Sequence, residues 1–282
     1  MKNTETTLFF PMDLPYDIAY RKGKVKYPVG PHAHDGAELY FTRTALPDVL
    51  LGDQVFAVPA DTLILIPPFC VHQLYHETDV VYERYVLNIR EAWIKNILLE
   101  SQAIPMLYQN AVPVMLTLEA AQKKELAQKM RKLISHSHFS EPSALADFFL
   151  LLDQFTKLVQ ENPCAVPSLP PSPSQKRVNE IISYIQEHVR DNLTISDLAE
   201  HFFLHPDYLG RLFKQHAHVS IGHYLTLQKI TTAQEFLRSG LSVAEAAEYL
   251  GFSSYAYFFK TFQKVAGISP SKYRALYSQK LS

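Results

Sequence analysis

The sequence predicts an α+β multidomain chain. It has an N-terminal antiparallel β-barrel or sandwich, a pair of helices beside it, and a C-terminal all-α region. Three observations predict this fold class. Short segments with alternating apolar residues dominate before residue 90, a helical period replaces them between residues 119 and 160, and two similar helical segments follow residue 176. The 282 residues suffice for about two domains.

The composition is that of an ordinary globular protein, with 47% hydrophobic and 20% charged residues. No apolar run reaches the ~18–20 residues of a membrane span, so we expect no membrane partner. The first residues lack a basic segment followed by an apolar core, which argues against a signal peptide. Cys70 and Cys164 match no metal or disulfide spacing, and we expect a cytoplasmic protein.

Residues 1–115 are predicted to form the β domain. The segment 49–58 predicts two short strands around a Gly-Asp turn. Residues 62–69 predict a strand that ends at a proline pair, and residues 80–89 alternate apolar with polar side chains. Several short strands separated by regular turns are typical of an antiparallel barrel or sandwich.

Residues 116–161 are predicted to form the helical pair. Proline at 142 falls near the first turn of the second helix, a position that tolerates it. We expect the pair to pack on the β domain and to use its remaining apolar surface to form a homodimer. The apolar stripe of the first helix consists of Leu118, Ala121, Leu126, Met130 and Leu133.

Residues 162–175 are predicted to form a linker. They contain five prolines, three serines and no charged residue, which is typical of an extended, semi-stiff spacer. Residues 176–282, the predicted C-terminal domain, carry 12 Lys and Arg against 9 Asp and Glu, a net charge of +3. The rest of the chain carries 15 against 19, a net charge of −4. The sign of this asymmetry favours a C-terminal region that contacts phosphates.

An internal repeat organises the C-terminal domain. Residues 193–225 align with residues 241–274 when one extra residue is allowed in the second turn. Each copy begins with a sequence that resembles a capping box, continues as a short alanine-containing helix, and passes through a turn into a second helix. This is the layout of a helix-turn-helix, whose second helix enters the major groove. Equivalent pairs are Leu193 and Leu241, Tyr208 and Tyr257, and Phe213 and Phe262.

The second helix of each copy is predicted to have one buried and one exposed face. The buried faces are expected to contain Leu209, Leu212 and Phe213 in one copy, and Phe258 and Phe262 in the other. Arg211 and Lys260 fall at equivalent exposed positions, where a basic side chain can reach a guanine edge or a phosphate. The predicted DNA-contacting residues are Asp207, Gly210, Arg211, Lys214, Ala256, Tyr257 and Lys260.

The segment GFSSYAYFFKTFQKVAGISPSKYR, residues 251–274, resembles the signature of the AraC/XylS family of bacterial transcription regulators. The resemblance extends back to Leu193. It implies a linking helix at about residues 220–238, a double-stranded promoter or operator as partner, and contact with RNA polymerase when such a protein activates transcription. The first copy departs from the pattern, because His218 stands where the second copy has Gly267, a residue suited to a left-handed helix cap.

Two N-terminal segments, PHAHDGAELY (31–40) and LIPPFCVHQL (65–74), are similar to the two short motifs of cupin barrels. Metal-bearing cupins use two histidines, a glutamate and a later histidine on neighbouring strands. Ala60 stands where the second motif typically has glycine, which weakens the match. The corresponding residues are His32, His34, Glu38 and His72.

His32, His34 and Glu38 share parity along an extended segment, so all three can face the barrel interior. Imidazole and carboxylate ligands suit iron, manganese, nickel or zinc, but the same groups can hydrogen-bond a polar ligand such as a sugar, or simply pack in the core. We expect a polar effector and no cofactor, with Tyr82 and Glu83 as further pocket candidates. The predicted effector-binding residues are His32, His34, Glu38, Tyr40, His72 and Arg84, and the alternative metal set is His32, His34, Glu38 and His72.

The sequence therefore predicts a sequence-specific DNA-binding regulator, more often an activator in the family it resembles, that is not an enzyme. A small effector in the N-terminal barrel would control it. The alternative is a metal-dependent cupin enzyme fused to a DNA-binding module, and a further alternative is a barrel that only dimerises.

Overall fold

The computed structural model describes residues 15–24, 30–34, 36–74, 79–90, 93–94, 113–162 and 172–278. The N-terminal part contains two antiparallel sheets, as predicted. The larger sheet has the strand order β1-β7-β2-β5-β8, and the smaller has the order β4-β3-β6. The strands are β1 (Tyr16–Lys24), β2 (Gly36–Thr42), β3 (Leu46–Leu51), β4 (Gln54–Val58), β5 (Thr62–Ile66), β6 (His72–Leu74), β7 (Val81–Arg90) and β8 (Val114–Thr117).

Both faces of the larger sheet are buried. Along β2, Leu39 and Phe41 face one core, whereas Tyr40 belongs to a second core that also contains Val49 and Leu51 of the smaller sheet. The two sheets therefore pack face to face around a shared interior. Within the described residues their pairing gives two sheets rather than one ring of hydrogen-bonded strands.

The predicted helical pair consists of α1 (Ala120–Ile134) and α2 (Pro142–Glu161). It packs on the outer face of the larger sheet, where Met130 and Phe148 are among its buried residues. Trp93 lies partly buried at the margin of this core, with its ring centroid 5.2 Å from that of Phe148.

The helix that follows the predicted linker begins earlier than expected. Helix α3 (Pro173–Glu187) starts three residues before the predicted domain boundary at 176. Ser172 and Gln175 form a reciprocal capping box, and proline at the first helical position is compatible with helix geometry. The end of the proline-rich stretch is therefore a helix start, while residues 163–171 of the predicted linker lie outside the described part of the chain.

The rest of the C-terminal region contains two helix-turn-helix units joined by a long helix. The two capping boxes expected from the repeat form, between Thr194 and Asp197 and between Ser242 and Glu245. The helices are α4 (Ile195–His201), α5 (Pro206–Ala217), α6 (Ile221–Arg238), α7 (Val243–Tyr249), α8 (Tyr255–Ala266) and α9 (Pro270–Ser278). Helix α6 is the linking helix expected at about 220–238.

The two units end their second helices in the same backbone conformation. Gly267 caps α8 with a φ of 74°, and His218 caps α5 with a φ of 55°. The left-handed conformation costs an ordinary L-residue roughly 1 kcal/mol, so the first unit keeps the geometry at a greater cost than the second.

We expect the buried and exposed faces of α8 to differ sharply in their effect on stability. The Phe262 side chain is fully buried, and Phe262→Ala should lower the free energy of unfolding by about 3–5 kcal/mol. Lys260 is exposed, so Lys260→Ala should change it by less than about 0.5 kcal/mol. Urea unfolding of both variants measures the difference, and equal losses would contradict this orientation of α8.

Candidate functional site

The second helices of the two units expose the residues that the sequence assigns to DNA contact. Arg211 and Lys260 both lie on exposed faces, at equivalent positions in α5 and α8. Aromatic rings accompany them, because Tyr208 is 49% exposed and Tyr257 is 53% exposed. Asp207, Lys214 and Ala256 are also exposed, and Gly210 is half-buried.

The opposite faces of α5 and α8 are buried, as predicted. Leu209 and Phe213 belong to the core of the first unit, and Phe258 and Phe262 belong to the core of the second. Each helix therefore packs on its own unit by its apolar face and presents its polar face to solvent. This arrangement can place two basic, aromatic-bearing helices against a nucleic acid.

Two residues outside the predicted set change the description of this surface. Phe203, in the turn between α4 and α5, is 94% exposed and has a φ of 54°. A phenylalanine this exposed contributes little to packing within the chain. In the sequence, the only indication of an exposed aromatic residue in this turn is the Phe202-Phe203 pair. Lys229 is instead drawn back to the protein, because its Nζ lies 3.3 Å from Asn192 Oδ1, and burial lowers its pKa.

The second candidate site lies at one end of the N-terminal interior. His34 Nε2 lies 3.0 Å from Glu38 Oε2, and His72 Nε2 lies 3.7 Å from the same oxygen. The ring centroids of His32 and His72 are 4.3 Å apart. A backbone bridge between His32 and His72 holds these two histidines opposite each other, and Glu38 projects from β2 toward them.

Backbone carbonyls fix the orientation of all three rings. The Nδ1 atoms of His32 and His72 lie 3.0 Å from the Gly30 carbonyl and 2.9 Å from the Cys70 carbonyl. The His34 Nδ1 lies 2.9 Å from the carbonyl of Gly36. A carbonyl oxygen only accepts hydrogen bonds, so each Nδ1 must carry the proton and donate it.

The cluster places three imidazole rings around one buried carboxylate. Burial, followed by the neighbouring rings of His72 and His34, lowers the pKa of His32 to about 3. Burial acts to raise the pKa of Glu38, but the rings of His34 and His72 outweigh it and hold that pKa below its usual value. Glu38 is therefore ionised at neutral pH.

Tyr40 and Arg84 extend this site along the same inner face. Tyr40 lies two residues beyond Glu38 on β2, and burial raises the pKa of its phenol, which keeps the hydroxyl neutral. Arg84 is half-buried on β7 opposite Thr42, and its charge acts on Tyr40. The structure thus brings the six predicted effector residues onto one side of the interior.

Of the two further pocket candidates, Tyr82 and Glu83, only Tyr82 faces the interior. Tyr82 is buried in the interior core beside Tyr40. The prediction for Glu83 is wrong, because side chains alternate along β7 and Glu83 faces the other side of the sheet. There its carboxylate lies 2.9 Å from Lys22 Nζ.

The smaller sheet packs against the N-terminal interior on one face and against the first helix-turn-helix unit on the other. Leu50, Val55 and Val71 belong to the same core as α3 and α5. The Tyr224 hydroxyl of α6 donates to the Gly52 carbonyl at 3.0 Å. We name this contact region the junction, defined by Leu50, Gly52, Val55, Val71, Asn179 and Tyr224.

A second connection reaches the other helix-turn-helix unit. Phe69 belongs to the core of that unit, and the Arg238 guanidinium of α6 lies 4.7 Å from its ring centroid. The Phe69 amide donates to the His34 carbonyl at 2.8 Å. The histidine cluster is therefore one hydrogen bond away from a residue that packs on α6.

Comparison with family models matches both parts of the chain. Residues 15–158 match an AraC-like ligand binding domain, and residues 198–276 match a helix-turn-helix domain. YfiF of Bacillus subtilis, an uncharacterised HTH-type transcriptional regulator, is 28% identical over 259 residues, covering 87% of this chain and 79% of YfiF.

Other relatives match the C-terminal part. The regulatory protein PocR of Salmonella typhimurium is 33% identical over 37% of this chain, and the arabinose operon regulatory protein of Escherichia coli is 34% identical over 39%. The matched segments span only 35% and 38% of those two proteins. Among solved structures, ToxT of Vibrio cholerae is 13% identical over 94% of this chain and 98% of its own, with a TM-score of 0.39. Among the described residues, every helix is too short or too polar to cross a bilayer.

The junction should depend on the buried Tyr224 hydroxyl. Besides donating to Gly52, this hydroxyl accepts from Gln228 Nε2 at 2.7 Å. The hydroxyl also accepts from Gln186 Nε2 at 3.3 Å. Tyr224→Phe removes all three hydrogen bonds, and we expect a loss of about 1–3 kcal/mol in the free energy of unfolding. Tyr208→Phe, at an exposed tyrosine of α5, is the matched control and should stay within about 0.5 kcal/mol. Equal stabilities of the two variants would show that the junction bond contributes nothing.

Proposed function

The chain belongs to the AraC family of transcriptional regulators, and from this premise we propose that it binds a promoter or operator in a sequence-specific manner under the control of a small effector. The observation that carries the proposal is the duplicated exposed face, with Arg211 and Tyr208 on α5 and Lys260 and Tyr257 on α8. A solvated surface charge needs no counterpart, whereas a pair of matched faces on two helix-turn-helix units suits two grooves of one duplex.

The proposed mode of binding places α5 and α8 in successive major grooves. Major grooves on one side of B-DNA repeat about every 34 Å, so a single chain would cover about two helical turns. Arg211 and Lys260 would reach base edges or phosphates, and the two tyrosines would contact the sugar-phosphate backbone. Phe203, at the exposed turn of the first unit, would lie against the backbone beside the first groove.

The proposed effector is a small polar molecule held at the inner face described above. The site offers imidazoles, a carboxylate, a neutral phenol and a guanidinium, which together can bind a hydroxylated ligand such as a carbohydrate. The relatives include proteins named as regulators of the arabinose and melibiose operons of Escherichia coli. The proposed effector residues remain His32, His34, Glu38, Tyr40, His72 and Arg84.

The junction is the proposed route from effector to DNA. A ligand shifts a protein between two arrangements only by binding one of them more tightly. His72 pairs with Leu51 in the smaller sheet, and the adjacent Leu50 packs in the core of the first helix-turn-helix unit. A ligand that repositions β6 would therefore act on the packing of α3 and α5.

We also propose that two chains act together. Leu150 of α2 is 54% exposed although the neighbouring Leu151 is buried against the larger sheet, so Leu150 is a candidate for a homodimer contact. A dimer raises the local concentration of the second DNA-binding domain once the first is bound. Activation would then proceed through contact with RNA polymerase beside the bound site.

The enzyme alternative has one supporting feature, the histidine cluster. The relatives named above are regulators. The regulatory function is therefore the one that the site supports best.

Removal of either basic side chain should weaken DNA binding without unfolding the protein. The DNA probe is a sequence selected from a random pool by the parent chain. Arg211→Ala and Lys260→Ala should each lower its affinity by about 1–3 kcal/mol, a factor of about 5–150. Lys22→Ala on β1 removes the same charge from a 58% exposed side chain and should bind like the parent. Parent-like binding by Arg211→Ala and Lys260→Ala would refute the assigned faces.

Affinity should fall steeply with salt. If the two units together neutralise six or more phosphates, raising the salt from about 50 to about 200 mM should weaken binding by about 1,000-fold. Lys260→Ala should reduce the slope of log affinity against log salt by about 1 when Lys260 contacts a phosphate. Fluorescence anisotropy at several salt concentrations measures both, and a flat salt response would be incompatible with two phosphate-contacting helices.

A further inference from the structure

We propose that Asn192 of the first helix-turn-helix unit packs on Gly251 of the second, and that this contact restricts the chain to one spacing between its two DNA sites. Asn192 lies in the loop before α4, and Gly251 lies in the turn between α7 and α8. The inference deepens the proposed function and rests on it, because it names a residue that determines specificity through the position of α8. The contact itself is independent of DNA binding.

The turns of the two units have the same backbone conformation. Phe203 and Gly251 occupy equivalent positions, with φ angles of 54° and 64°. The amide of each donates to the carbonyl three residues earlier, at 3.1 Å for Phe203 and 2.9 Å for Gly251. Phe203 shows that an ordinary L-residue occupies this left-handed position, although at an energetic cost. The backbone conformation alone therefore does not explain a glycine at 251.

The surroundings of the two turns explain the difference. The Phe203 side chain is 94% exposed and projects into solvent. A Cβ atom on residue 251 would lie 2.2 Å from Asn192 Oδ1 and 2.9 Å from Asn192 Cγ, closer than side-chain carbons approach other atoms. Glycine permits close approach to the backbone, and here the approaching group is an asparagine of the other unit. The repeat thus loses its symmetry where the first unit packs on the second.

Two cationic side chains hold the same loop against the second unit. Lys229 of α6 donates from Nζ to Asn192 Oδ1 at 3.3 Å and lies 5.8 Å from the ring centroid of Phe252. Two residues before Asn192, the Arg190 guanidinium lies 5.2 Å from the ring centroid of Phe236. Both rings pack against the core of the second unit. Cations over aromatic rings are attracted to them, so the loop contacts the second unit at two points.

These contacts add a restraint to the one that α6 provides. Leu227 belongs to the core of the first unit and Ile230 to that of the second, so the two units pack on adjacent turns of α6. Val265 of α8 borders both cores. The shared helix sets the distance between the units along its axis, whereas the loop contact opposes rotation of one unit against the other. A pair of units held in this way presents α5 and α8 at one separation and one angle.

DNA spacing measures this rigidity. One base pair inserted between two groove sites moves the second site by about 3.4 Å and turns it by about 35° around the duplex axis. A rigid pair of units cannot follow that change, so the second unit loses its base contacts. A pair freed from the loop contact can rotate and keep part of them. The residues at the contact should therefore affect discrimination between spacings more than affinity for the best spacing.

The test compares the DNA sequence selected by the parent chain with the same sequence carrying one base pair inserted or removed between its two halves. The parent should lose at least about 10-fold in affinity on either change, which is the cost of misplacing a base contact. Asn192→Ala, alone and combined with Arg190→Ala, should bind the selected sequence within a few-fold of the parent and lose only a few-fold on the change of spacing. Asn192 and Arg190 are exposed, so both substitutions leave the cores intact, which circular dichroism checks.

Two control variants and one steric variant sharpen the comparison. Asn192→Asp keeps an oxygen facing Lys229 and should retain the parent's dependence on spacing. Asn162→Ala, at the exposed residue that ends α2, is the matched control and should behave like the parent. Gly251→Asn puts a side chain where Asn192 lies, in a conformation that asparagine tolerates. It should lower the urea midpoint of unfolding, and the added Asn192→Ala should restore most of that loss.

Four results would overturn the proposal. They are a parent that tolerates the inserted base pair, a parent-like dependence on spacing in the doubly substituted variant, an equal loss of affinity at every spacing, and a Gly251→Asn effect on the urea midpoint that Asn192→Ala leaves unchanged. If the parent selects no DNA sequence, the proposed function fails and the role in specificity fails with it. The urea comparison still decides whether the contact between the units exists.

Discussion

The smaller sheet has both of its faces buried, and the rest of the arrangement depends on this constraint. Alternation along β3 sends Val49 and Leu51 into the N-terminal interior and Leu50 into the core of the first helix-turn-helix unit. A three-stranded sheet with one side left in water would expose Leu50 and Val55. Burying such side chains stabilises a fold by about 1.5–3 kcal/mol each, so the C-terminal helices are held against the sheet.

Hydrogen bonds give this apolar contact a single geometry. Apolar burial is non-directional, whereas the bond from the Tyr224 hydroxyl to the Gly52 carbonyl fixes α6 against the hairpin. Asn179 of α3 accepts from the amide of Val55 at 2.8 Å, on a strand that lies at the edge of its sheet. An edge strand has unpaired backbone groups, and α3 covers one of them. The junction thus joins a site that can sense a ligand to helices that can contact DNA.

Periodicity and turn chemistry predict the order of the three regions, a β region, a helical pair and a C-terminal helical region, and they predict strands within residues 49–58, 62–69 and 80–89. The capping boxes and the buried faces of α5 and α8 follow from local sequence and from the repeat, whereas the linking helix follows from the resemblance to the AraC/XylS family. Local sequence failed where tertiary packing decided the outcome. The prediction placed Glu83 in the pocket, but adjacent residues of a strand point to opposite faces of the sheet. Glu83 therefore faces away from the pocket and pairs with Lys22. Proline composition predicts a spacer through residue 175, whereas Ser172 and Gln175 form the cap that begins α3.

For the candidate sites too, the sequence predicts which residues can meet but not the contacts that orient them. Parity along the chain predicted that His32, His34 and Glu38 could meet, but the backbone carbonyls that orient the rings depend on loop geometry that residue types do not encode. The junction was invisible to sequence reasoning, because Gly52 and Tyr224 lie 172 residues apart. Only the folded chain brings a glycine carbonyl of one domain to a buried tyrosine of the other.

Hydrogen–deuterium exchange of the full chain, with and without selected DNA, tests most directly whether the smaller sheet couples the two parts. If the smaller sheet couples the two parts, the amides of β3, β4 and β6 should change their protection from exchange when DNA binds, although these strands do not face the DNA. Protection confined to α5, α8 and their turns, with exchange in residues 46–74 unchanged, would contradict the coupling.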